Sequence, residues 1–139
     1  MAQQPPVPSP PPGTAVLEST IPEAGQGLFA TREWVRGEVL GEYAGPLITL
    51  EQTRALAPRQ LEYLYEVEEG RTYIDGSHPQ NHMGKVNAVK PRNRRSLTKA
   101  ERALVNVHPR QAGLRVHYVI KKKVPRGQEF LTDYGPNYW

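Results

Sequence analysis

The 139-residue chain contains no cysteine, so it has no disulfide framework and no thiolate metal site, and nothing in it asks for a metal. No apolar run approaches the length needed to cross a bilayer. The first residues show neither the basic start nor the apolar stretch of a signal peptide. A soluble protein without membrane contact is therefore expected. Charge is also missing from residues 1–14, MAQQPPVPSPPPGT, which are proline-rich and cannot build a core. Proline removes backbone donors and favours extended chain, so these residues read as a disordered polyproline-type tail. Residues 15–139 then suffice for one small domain.

The charge that is present is unevenly placed. Residues 1–90 hold seven Lys and Arg against eleven Asp and Glu, a net of −4, and residues 91–139 hold eleven against three, a net of +8. The acidic stretch 62–69 suits a basic peptide. The basic runs KPRNRR and KKK suit solvated loops, with nucleic acid as a second reading, because summed charge steers partners of opposite sign.

From Val16 onward, short extended runs such as GLFATREWV, EVLGEYAG and LRVHYVIKKKV are separated by Gly, Pro and Asp turns, which predicts a mainly β fold. Only two short helices are expected, over TLEQTRAL and TKAERALV, where Thr49 with Gln52 and Thr98 with Glu101 have capping-box spacing. Gly25, Gly27 and Ala30 have the G-x-G-x-x-A spacing of a dinucleotide-binding turn, but that motif needs a long helix after the glycines. The residues that follow, including Trp34, Val35, Gly37 and Gly41, favour strand and turn instead. The glycines thus mark a turn between two strands, either to permit positive φ or to let backbone approach a ligand.

Five stretches in order carry a more specific signal: GQGLFA, GEYAGPLITLEQTR, YIDGS, NHMGKVN and GQEFLTDYG. Together they resemble a SET domain over about 120 residues. The resemblance implies a β-clip-like fold of several small sheets, one or two short helices and a C-terminal pseudoknot, and S-adenosyl-L-methionine-dependent protein lysine methyltransfer. It implies that Gly25, Gln26, Gly27, Leu28, Asn87 and Tyr134 hold the cofactor, and that Tyr134 is catalytic together with Tyr43, which lines the site. A lysine amine, with an ordinary pKa of about 10.4, must shed a proton before it can attack a methyl group. Burial among phenols promotes that loss, which makes Tyr65 and Tyr73 candidate channel walls beside Tyr43. Tyr63 and Tyr118 read as packing residues.

Departures from the family pattern shape the remaining expectations. Asn87 is followed by Ala88 and Val89 rather than His and Ser, as in the PR subclass, which includes enzymes and silent modules. Thr132 stands where many members carry Tyr or Phe, a position that limits methylation degree. A basic insertion over 90–105 precedes Asn106, where the alignment resumes. The ending YGPNYW resembles that of small stand-alone viral SET proteins. It implies that Trp139 packs over the channel or the adenine and that a homodimer partner completes the site. The substrate expected is a basic protein tail such as a histone, which places the protein in the nucleus or on chromatin. The alternatives are a catalytically inactive SET-like module binding chromatin or basic proteins, and a nucleic-acid-binding β domain. His78 and His82 are four apart, but Pro79 argues against a helix that would pair them.

Overall fold

In the computed structural model, which describes residues 9–89 and 97–133, the apolar runs form ten short strands in four small sheets among the described residues. β1 (Thr14–Glu18) and β2 (Gln26–Ala30) make an antiparallel hairpin with Thr14 opposite Ala30. The chain between them passes through two left-handed residues, Glu23 at φ 67° and Gly25 at φ 74°. Glycine meets that requirement without a Cβ penalty, so Gly25 serves the turn. Gly27 lies within β2 and has a different reason to be glycine, given below. The hairpin also reaches into the proline-rich segment: Thr14 N–H donates to the Pro11 carbonyl at 3.1 Å, and Trp34 Nε1 donates to the Gly13 carbonyl at 3.0 Å.

β3 (Val39–Glu42), β8 (Val107–Ala112) and β9 (Arg115–Ile120) form an antiparallel sheet in the order β3-β9-β8. β4 (Leu47–Thr49), β5 (Leu64–Glu68) and β6 (Thr72–Asp75) form another in the order β4-β6-β5, which leaves β5 at an edge. Helix is confined to single turns. In α1 (Leu50–Thr53), Thr49 Oγ1 accepts from Gln52 N–H at 3.2 Å and Gln52 Oε1 accepts from Thr49 N–H at 2.8 Å. Thr98 and Glu101 close the same box on α3 (Lys99–Arg102). The sequence reading did not anticipate α2 (Pro58–Leu61) or a 3-10 turn at His82–Lys85. Proline at the first position of α2 gives up only a donor that a helix start leaves unpaired.

The C-terminal segment knits these pieces together. After Val124, which exchanges two backbone bonds with Trp34 at 2.9 Å, the chain turns through Gly127 at φ 92° and runs beside β2. There Ala30 N–H donates to the Gln128 carbonyl and Phe130 N–H to the Leu28 carbonyl. β10 (Leu131–Thr132) then changes partner and pairs in parallel with β7 (Asn87–Ala88). Val89 N–H donates to the Thr132 carbonyl at 2.9 Å and Asn106 N–H to the Leu131 carbonyl at 3.0 Å. β10 thus lies between residues 89 and 106, bonded to both. Asn106, fully buried, pins the crossing: its Nδ2 donates to the Glu129 carbonyl at 3.0 Å and its Oδ1 accepts from Leu131 N–H at 2.9 Å. The main core surrounds Phe130, which meets Trp34 edge-on at 5.7 Å between ring centres. Burying a ring of that size contributes about 1.5–3 kcal/mol. Val89, Leu97, Val105 and Leu131 form a second buried cluster, with Ile21 packed against it.

Candidate functional site

Tyr43 follows β3 and is held at both ends. Its N–H donates to the Val116 carbonyl at 2.9 Å, and its hydroxyl donates to the Tyr63 carbonyl at 2.6 Å. Its ring centre lies 5.8 Å from that of Tyr65 and 5.8 Å from that of Tyr118, the latter pair stacked. These three phenol rings, with Leu64, Pro109, Thr132 and Asp133, line a cavity of about 270 Å³ bordered by Glu62 and Glu66. Burial raises the pKa of Tyr65 above its ordinary value, so its phenol stays protonated at neutral pH. Thr132 is 1% exposed, and its hydroxyl has no hydrogen-bond partner among the described residues. A buried hydroxyl left unpaired costs about 1–3 kcal/mol, so it is suited to meet a ligand or water in this cavity.

A second cavity of about 460 Å³ lies beside the glycine turn, lined by Gln26, Gly76, Ser77, His78, His82 and Lys85 among others. The two cavities meet back to back at Tyr43 and Gly76: a Cβ on Gly76 would stand 2.5 Å from Tyr43 Cε1 and Cζ, so only glycine admits the ring. Asn81, almost fully buried, fixes this junction. Its Oδ1 accepts from Ala44 N–H at 3.1 Å and its Nδ2 donates to the Gly76 carbonyl at 2.9 Å.

The expected site residues divide between these places. Tyr43, Tyr65 and Thr132 come together in the smaller cavity, joined by Tyr118, which the sequence reading assigned to packing. The signal was present: alternation along β9 puts Tyr118 on the same face as the buried Val116 and Ile120. Tyr73 is not among the residues lining the cavity, and its hydroxyl donates to Glu66 Oε2 at 3.0 Å. Gln26 lines the larger cavity, where its Oε1 accepts from Lys85 Nζ at 3.0 Å. Gly25 is exposed, with open space where a Cβ would stand.

Gly27 and Asn87 converge instead on Glu129, which is 3% exposed. Its carboxylate accepts from Ser19 Oγ at 2.7 Å, Thr20 N–H at 2.8 Å, Thr20 Oγ1 at 2.6 Å and Asn87 Nδ2 at 3.2 Å. Asn87 Nδ2 also donates to the Gln26 carbonyl at 2.9 Å. A Cβ on Gly27 would overlap the Glu129 carboxylate, which is why β2 carries glycine there. Leu28 is fully buried in the core. Tyr134 and Trp139 lie outside the described residues, as does the basic run 90–96 of the insertion.

Comparison with known families now decides the assignment: the family model described as SET domain matches residues 25–135. This chain belongs to the SET domain family. The fold agrees. A humanized mutant of the Chaetomium thermophilum Polycomb Repressive Complex 2 bound to the inhibitor GSK126 is similar with a TM-score of 0.66 and 20% identity, over 94% of this chain and 15% of that one. The ctPRC2 complex in an autoinhibited conformation bound to S-adenosylmethionine gives 0.66 and 21% over 90% of this chain and 15% of that one. An active Polycomb Repressive Complex 2 in the basal state gives 0.65 and 20%, over 91% and 15%. The SET domain here therefore spans only a small part of those chains. No curated protein matches the sequence, and no helix among the described residues is long and apolar enough to cross a membrane.

For a SET domain, the implied methyl donor is S-adenosyl-L-methionine, and the larger cavity fits it. Its volume of about 460 Å³ lies within the roughly 300–1,000 Å³ of small-molecule sites. Lys85, Ser77 and Gln26 offer donors for a carboxylate at its wall. Ala88 and Val89, which stand in place of the family's His and Ser, are both buried.

Proposed function

We propose that this SET domain is an S-adenosyl-L-methionine-dependent protein lysine N-methyltransferase acting on a basic protein tail such as a histone tail. The observation that carries this reading is the phenol-walled cavity set back to back with the larger one. A lysine side chain is long, narrow and cationic. Rings of Tyr43, Tyr65 and Tyr118 would sheath its methylenes, and Glu62, Glu66 and Asp133 would attract its charge at the mouth. Inside, loss of hydration disfavours the ammonium, and hydroxyls orient the neutral amine by accepting or donating a hydrogen bond. Thr132 offers such a hydroxyl, and Tyr134 is assigned the same task from its motif.

Gln26 and Lys85 would hold the cofactor, with Glu129 and Asn87 keeping the turn in register behind them. When bound, S-adenosylmethionine supplies an electrophilic methyl group on a sulfonium. The protein's contribution is alignment, because bringing nucleophile and methyl group into near-attack geometry supplies much of the rate. The acidic 62–69 stretch is the tail-docking edge: it contains β5, which among the described residues pairs with a strand on one side only and takes a side-chain bond from Gln111 Nε2 at the Val67 carbonyl. A histone substrate would place the protein at chromatin.

The test is mass spectrometry of a histone mixture incubated with the protein and labelled cofactor. Methylated lysine is expected, and its absence at saturating cofactor overturns the reading. A second reading, a silent SET-like module that binds basic proteins, is favoured by one observation: Asn87 is engaged by Glu129 and the Gln26 carbonyl and has no histidine after it. Thermal shift separates the two, because a ligand at a hundred times its Kd stabilises the folded state by about 2.7 kcal/mol. No shift with S-adenosylmethionine would favour the module.

A further inference from the structure

The outward face of the β3-β9-β8 sheet carries charge that methyl transfer leaves unused. Alternation along β8 turns the fully buried Val107 inward and puts His108 and Arg110 on the other face. On β9, Val116, Tyr118 and Ile120 join the core, so Arg115, His117 and Val119 share the face of His108 and Arg110, where Val119 is buried, the histidines are half-buried and the arginines are exposed. The register confirms this, with Val119 opposite His108 and His117 opposite Arg110. On the far side β3 sets Val39, 56% exposed, opposite Val119. Two further cations flank the strand ends: Lys121 directly follows β9, and Arg36 directly precedes Gly37, whose N–H donates to the Ile120 carbonyl at 2.9 Å.

Arg36, Arg110 and Lys121 all act on His108. Burial first, and then the charges of Arg110, Lys121 and Arg36, hold its imidazole below the ordinary histidine value. The three cations are exposed, and among the described residues none of them forms an ion pair with a carboxylate. Their neighbours do: Arg115 pairs with Glu42 at 2.8 Å, Arg32 with Glu38 at 3.1 Å and Lys123 with Glu33 at 3.1 Å. The trio is thus a concentration of uncompensated like charge. Such a patch raises the local concentration of anions. It lies on a sheet face, and none of its three cations lines either of the two cavities described above. A backbone of closely repeated charges can meet all three cations together, whatever its sequence.

We infer that this sheet face binds the phosphate backbone of nucleic acid without base readout, through Arg36, Arg110 and Lys121. The inference does not depend on methyl transfer. The test is fluorescence anisotropy of the full chain with a labelled 20-base-pair duplex across a salt series. Replacing Arg36, Arg110 and Lys121 together with Ala weakens binding by about ten-fold or more at low salt, and shallows the slope of log affinity on log salt by about one for each lost contact. Melting temperature stays unchanged, since the side chains are exposed. A parallel titration uses polyglutamate as a competitor. The inference fails if the triple variant binds duplex like the parent. It fails equally if only removal of Arg92, Arg94 and Arg95 abolishes binding, or if polyglutamate displaces the duplex at equal charge concentration, which would point to an acidic protein.

Discussion

Two glycines two residues apart are glycine for different physical reasons, and substitution separates them. Gly25 has φ 74° and open space around it. Gly25→Ala therefore costs only the left-handed backbone penalty of about 1–2 kcal/mol, and Gly25→Asn less. At Gly27 the added carbon meets the buried Glu129 carboxylate, so both substitutions there force repacking at about 1–3 kcal/mol. Chemical denaturation of the four variants checks this: Asn should be tolerated better than Ala at 25 and worse at 27. At Tyr43, Phe removes the hydroxyl bonded to the Tyr63 carbonyl and keeps the ring. That loss costs about 1 kcal/mol of stability, while kcat for lysine methylation drops by about a hundred-fold if the hydroxyl aligns the amine. An unchanged kcat would leave the ring as wall only and remove the hydroxyl from the chemistry.

Ion pairs at the surface give a pH signature of defined sign. The hydrogen bond from Arg115 holds the Glu42 carboxyl below the ordinary glutamate value. A carboxylate whose folded pKa is depressed contributes stability above its unfolded pKa, near 4.3, and loses it as pH falls through the lower folded value. Glu42→Gln should therefore lower the melting temperature slightly at pH 7, and the difference should fade as pH falls through the depressed carboxyl value. Both side chains are solvated, so the effect stays below about 1 kcal/mol and shrinks with salt.

At the scale of elements, the placement of β10 rests on Asn106. Asn106→Ala strips partners from the Glu129 carbonyl and the Leu131 N–H, a loss of about 2–3 kcal/mol. Hydrogen exchange at Leu131 should rise more than at Val116, deep in the other sheet. Which elements the sequence announced follows from how local their causes are. Thr49 and Thr98 cap their helices with side chains three residues away, so both were legible. Ala57 has no capping side chain, and α2 went unseen. Tyr65 and Tyr73 looked equivalent as candidate walls, yet the register puts Tyr65 opposite the buried Ile74 and Tyr73 opposite Glu66, on the sheet's other face. Glu129 is the case sequence reasoning could least reach, since its partners come from residues 19, 20 and 87.

Across the whole molecule charge is unevenly placed: acidic residues border the tyrosine-lined cavity, and Arg36, Arg110 and Lys121 gather at the β3-β9-β8 sheet. Raising ionic strength should weaken capture of a basic tail and of a duplex alike, by screening over about 10 Å at 0.1 M, while cofactor affinity changes less. Comparing the three dissociation constants across one salt series checks this. The C-terminal segment also bears on the order of folding. Gln128 and Phe130 supply backbone partners to Ala30 and Leu28, so β2 keeps an open edge until they arrive. A chain truncated before residue 128 should therefore bind chaperone more than the full chain does, and comparative pull-down of the two checks this.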